Sequence, residues 1–158
     1  MPGLDIAEER SWQNYLDSAL RLYATLNRSL VDAHHLTLND VRLLDMLDKS
    51  PTGAARMGDL AERLMSLPSR VTRQIRRLEV QNLVTRCASP DDGRGVIATI
   101  TDEGREAVRG AMVTYGRGVR AHFLGRLSRP QIAAMGENCR RISVGLQNGS
   151  PPAKIGRV

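Results

Sequence analysis

Aromatic side chains are scarce in this chain: one Trp, one Phe and three Tyr, 3% of the sequence. A core that lacks them has to be built from Leu, Val, Ile, Ala and Met, which suits packed helices better than an aromatic-rich sandwich or barrel. The five, Trp12, Tyr15, Tyr23, Tyr115 and Phe123, are expected in the core or at an interface, and no ligand-binding residue is assigned. Long apolar runs are missing too. No stretch approaches the ~20 apolar residues of a membrane span, so no membrane partner is expected. The opening MPGLDIAEER is acidic, which does not fit a secretory signal. Cys87 and Cys139 stand far apart without metal-ligand spacing, and a reduced, cytoplasmic setting is expected. His34, His35 and His122 have no nearby cysteine and no Glu-x-x-His pattern, so they are expected to stabilise a helix end or face solvent. No metal or cofactor is expected. Nor is an enzyme: nucleophile elbow, phosphate loop and paired acids are all lacking, and Asp91-Asp92 fits turn chemistry.

What the chain does have is positive charge. Its 158 residues are 41% hydrophobic and 25% charged, an ordinary composition for a soluble protein. The net charge of +6 and isoelectric point near 10.1 favour a polyanionic partner. Placement says more than the total. Residues 63–77 hold five Arg and no acid, while acids such as Asp5, Glu8 and Glu9 gather elsewhere.

The periodicity predicts a first helix over about 8–31, with Leu16, Leu20, Tyr23, Leu26 and Leu30 on one face. Residues 37–40 offer caps for a second helix bearing Val41, Leu44 and Leu47. Pro51 and Gly53 mark 49–56 as a loop, and a short helix follows with Leu60, Ala61 and Leu64 inward. Pro68 fits the first turn of the next helix. Residues 84–87 and 96–100 are β-prone and flank the turn-forming SPDDGRG, 89–95. Thr101 can cap a helix reaching about 126, in which Gly110, Gly116 and Gly118 permit either close approach or a kink. Capping-box spacing at 128–131 opens a final helix through 146, and the tail from 148 to 158 is expected to be disordered.

The helix over 68–81 holds the functional argument. At ~100° per residue, Val71, Ile75 and Leu78 share one side. Ser69, Arg73, Arg76 and Arg77 take the opposite side, with Arg70 and Gln74 on a flank. Four cations on one surface repel by a few tenths of ~1 kcal/mol per close pair, which phosphates or guanine edges would relieve. Ser, Thr and Gln can read edges or anchor phosphates beside them. The bland alternative is a solvated basic face. The hairpin adds Arg94 at its tip, suited to a narrow minor groove, with Asp92 able to preorient its guanidinium. Together they imply a regulator that binds double-stranded DNA.

These residues resemble the MarR family (multiple antibiotic resistance regulator) of winged helix-turn-helix transcription factors. The likeness rests on DLAERL (59–64), SRVTRQIRRLE (69–79), NLV-x-R (82–86), SP-x-D-x-R (89–94), T-x-x-G (101–104) and the Leu-Thr-Leu at 36–38. Order and spacing fit over about 12–146. The resemblance implies a mainly α fold with a small β-hairpin wing. It divides the chain into an N-terminal dimerisation helix (1–36), a winged helix-turn-helix (37–101) and C-terminal dimerisation helices (102–147). It implies a homodimer on a pseudo-palindromic operator, a repressor by family habit, released by a small aromatic or anionic effector. DNA contacts are expected from Ser69, Arg70, Thr72, Arg73, Arg76, Arg77, Arg86, Asp92 and Arg94. Two positions depart from the family. Leu67 replaces a polar helix cap, leaving Ser66 or Ser69 to meet the first amides, and Gly93 stands where many members carry another Arg. Two alternatives stay open: a cysteine-based redox-responsive regulator, and a winged-helix protein-interaction module without DNA binding. Against the first, the family's peroxide sensors use a cysteine in the first helical region, where this chain has none. Cys87 and Cys139 are expected to be small buried hydrophobes, although Arg86 precedes Cys87.

Overall fold

The computed structural model describes residues 1–89 and 95–147. The expected wing-tip residues Asp91, Asp92, Gly93 and Arg94, and the tail from 148 to 158, lie outside the described residues.

Helix α1, Ile6–His34, opens with a capping box in which Asp5 and Glu8 each accept the other's backbone N–H at 2.9 Å. Of its apolar face only Leu26 and Leu30 are buried, while Leu16, Leu20 and Tyr23 are exposed within the subunit. Helix α2, Leu38–Asp48, starts at Thr37 as the sequence predicts, and Asp40 closes the box. Asn27 of α1 accepts the Leu38 N–H at 2.9 Å, joining the two helices at this start. Its inward residues Val41, Leu43, Leu44 and Leu47 are essentially inaccessible. Burying each such side chain contributes about 1.5–3 kcal/mol.

The loop expected over 49–56 needs a correction: Ala54–Arg56 is a strand, β1. Then come α3, Met57–Arg63, and α4, Pro68–Val80. Strands β2, Val84–Ala88, and β3, Val96–Ile100, pair antiparallel with Val84 opposite Ile100 and Ala88 opposite Val96. Sheet order is β1-β3-β2, so the expected hairpin is a three-stranded sheet. Ala-Ala-Arg has little β propensity of its own. It is extended because β3 offers an unpaired edge and the chain turns into it at Gly53, φ +68°, whose carbonyl accepts the Ile100 N–H.

Helix α5, Asp102–His122, explains T-x-x-G. The Thr101 hydroxyl accepts the Gly104 N–H at 3.0 Å and donates to the Asn82 carbonyl at 2.7 Å. A Cβ at Gly104 would overlap the Leu83 carbonyl oxygen, so the first turn of α5 sits there only as glycine. Gly118 likewise faces Leu26, whose Cδ2 would lie 2.6 Å from an added Cβ, and this favours close approach over a kink. The helix stops at His122, earlier than the expected 126, and a 3-10 turn, Leu124–Arg126, follows. Helix α6, Arg129–Gln147, shows half of its expected capping box, with the Ser128 N–H donating to Gln131 Oε1 at 2.8 Å.

The first compact unit is Met1–Gly118, and a second begins at Val119 within α5. Among the described residues the buried apolar core is Leu, Val, Ile and Ala, with no aromatic and no Met. No helix among them is long and apolar enough to cross a membrane.

Candidate nucleic-acid interface

Helix α4 is reached through Met65, which adopts a left-handed conformation (φ +50°) and ends α3 abruptly. Leu67 is the N-cap, and no side chain caps the helix, so neither Ser66 nor Ser69 takes the expected role. Pro68 lowers the need for one, because its missing N–H is one of the unpaired donors of a first turn. Inward, Val71, Ile75 and Leu78 are fully buried, as the periodicity predicts.

Outward, Ser69, Arg70, Arg73 and Arg76 are exposed. Among the described residues Arg70, Arg73 and Arg76 have no hydrogen-bonding or ionic partner. Thr72 donates its hydroxyl to the Pro68 carbonyl at 2.9 Å and keeps acceptor capacity. Arg77, expected on the reading face, turns its guanidinium onto Asp40, and Gln74 donates to the same carboxylate at 3.0 Å. Arg86 on β2 pairs with Glu79 of α4 at 2.6 Å. Sequence reading missed Asp40. Its only local signal is capping-box spacing from Thr37, and the α4 partners lie 34 and 37 residues away.

Hollows flank α4 on both sides. One, about 360 Å³, is lined by Asn39, Ser66, Arg70, Arg73, Gln74 and Arg77. The other, about 480 Å³, lies on the sheet side and includes Arg56, Thr72, Arg76 and Arg86. The helix is therefore a convex cationic ridge between basic concavities. That shape suits a major groove roughly 12 Å wide, with hollows for the bordering phosphate strands.

Known proteins share this fold. The family model described as MarR family matches residues 36–96. AbsC of Streptomyces coelicolor, a MarR family transcriptional regulator, is 30% identical, with a TM-score of 0.86 over 94% of this chain and 99% of that one. The chain belongs to the MarR family. Sco3205, a MarR family regulator of the same organism solved in complex with DNA, is also 30% identical, with a TM-score of 0.88 over 100% of this chain and 97% of that one. BpsR of Bordetella bronchiseptica, whose DNA binding is regulated by 6-hydroxynicotinic acid, is 22% identical and shows the shared fold alone, with a TM-score of 0.74 over 85% of this chain and 98% of that one. No curated protein sequence matches.

The protein is thus a MarR family transcriptional regulator with a winged helix-turn-helix fold, and not an enzyme. In this MarR chain the burial expected of both cysteines does not hold. Cys87 is exposed and Cys139 half-buried. The reason for Cys87 is that β2 is an edge strand on which only Val84 is covered. His34 binds Thr114 Oγ1 at 2.8 Å, tying the end of α1 to α5, and His35 is the left-handed C-cap of α1.

Proposed function

We propose that this MarR family member binds double-stranded DNA as a homodimer and represses transcription from a pseudo-palindromic operator. The observation that carries this reading is the exposed ridge of α4, where Arg70, Arg73 and Arg76 have no protein partner among the described residues. Uncompensated cations of one sign on a rigid element are stabilised by a polyanion. Arg73 and Arg76 point most directly away from the core and are assigned base edges and phosphates, with Ser69 and Thr72 beside them. Arg86, preoriented by Glu79, is assigned a backbone phosphate. Arg94 and Asp92 keep the minor-groove role their motif implies. The DNA complex of Sco3205 supports the partner class.

Support for a homodimer comes from apolar surface that each unit leaves uncovered. In the first, α1 exposes Trp12, Tyr15, Leu16, Leu20 and Tyr23, and in the second, α6 exposes Ile142, Val144 and Leu146. A two-fold pair presents two copies of α4, which suits half-sites about 34 Å apart. An effector completes the reading. A hollow of about 240 Å³ beside α4 offers the Tyr23 ring and the Arg70 cation to a small aromatic anion.

Selection of bound duplexes from a random pool, with the mass of the complex measured alongside, tests this. An inverted repeat bound by two subunits is expected. A monomer that enriches no sequence would refute it.

A further inference from the structure

The four arginines of α4 are not equivalent. Asp40 is only 1% exposed, and its carboxylate accepts the Thr37 N–H at 2.8 Å and the Thr37 hydroxyl at 2.6 Å. From α4 it accepts Gln74 Nε2 at 3.0 Å and pairs with the Arg77 guanidinium. A carboxylate is costly to bury unless it is paired and hydrogen-bonded, and here half of its partners come from another helix. The apolar stripe of Val71, Ile75 and Leu78 tolerates a range of helix rotations and slides, whereas a buried charge with fixed donors does not. Gln74 and Arg77 are three residues apart, so both meet Asp40 from the same flank of α4. Holding that flank against α2 leaves Ser69, Arg73 and Arg76 pointing away from the core.

We propose that Asp40 is a positioning residue for duplex recognition. It sets the rotation of α4 through Gln74 and Arg77, and Arg77 acts through Asp40 rather than on DNA. This rests on the DNA-binding reading above. The test compares the wild-type chain with Asp40→Asn, Arg77→Met and the double variant, each shown to be folded. Binding to the selected operator and to random-sequence duplex is measured over a salt series. Asp40→Asn and Arg77→Met should each lower the ratio of specific to random affinity by about two- to thirtyfold. The double variant should lose no more than the worse single one, because both break the same contact. The salt slope should stay that of the wild type. An Arg77→Met variant that weakens both duplexes alike and flattens the slope by about one would make Arg77 a phosphate contact and overturn the proposal. Additive losses, or variants that bind as the wild type does, would overturn it too. If Asp40→Asn does not fold, Arg77→Met decides alone by its ratio and slope. A wild-type chain that binds no duplex overturns the DNA reading along with this one, whereas wild-type binding with an altered Arg77→Met slope overturns only the positioning role.

Discussion

Arg73 and Leu67 sit six residues apart on the same segment and answer different questions. Arg73 is exposed, lies opposite the buried stripe and has no protein partner among the described residues. Its removal should leave stability unchanged and weaken operator binding by about 1–3 kcal/mol if it reads a base edge. Competition of Arg73→Ala between operator and random duplex checks this, and equal losses on the two would assign Arg73 to phosphate. Leu67 is 60% exposed at the N-cap of α4 and makes no side-chain bond to the first amides. Leu67→Ser should therefore stabilise the fold by about 1 kcal/mol, seen as a higher urea midpoint with unchanged slope. An unmoved midpoint would mean the helix start gains nothing from a side-chain cap.

Among the elements, α5 shows how a short motif becomes a packing constraint. Gly104→Ala would drive a Cβ into the Leu83 carbonyl, and relief requires α5 to move off the sheet. The expected loss is about 1–3 kcal/mol by chemical denaturation, and a change under about 0.5 kcal/mol would contradict the close approach. Elements defined by local chemistry were legible in the sequence. The stripe of Val71, Ile75 and Leu78, the Thr37 cap, Pro68 at the start of α4 and the β-prone runs at 84–87 and 96–100 needed only neighbouring residues. What depends on distant partners was not legible. Strand β1 exists because β3 has a free edge, and Ala-Ala-Arg carries no sign of it. Asp40 presents itself as a helix cap, and its link to Gln74 and Arg77 appears only once α2 and α4 are packed. Cys87 has the residue type of a core position, but it lies on an edge strand that little covers.

In the whole molecule, features of the single chain meet a function proposed for the pair. Each chain presents on one ridge three arginines that have no partner among the described residues, and each leaves an aromatic and leucine-rich face of α1 uncovered. Two copies related by a two-fold axis would cover the second feature and double the first. The direct test is the dependence of operator affinity on salt, measured at protein concentrations where the mass is that of a pair. If the arginines of both ridges meet phosphates, they should contribute roughly −5 to the slope of log K against log salt, with the two Arg86 contacts adding roughly −2, and the slope should be less steep by about one for every arginine that reads a base. Affinity that stays flat as salt is raised would contradict the claim that these cations hold the duplex.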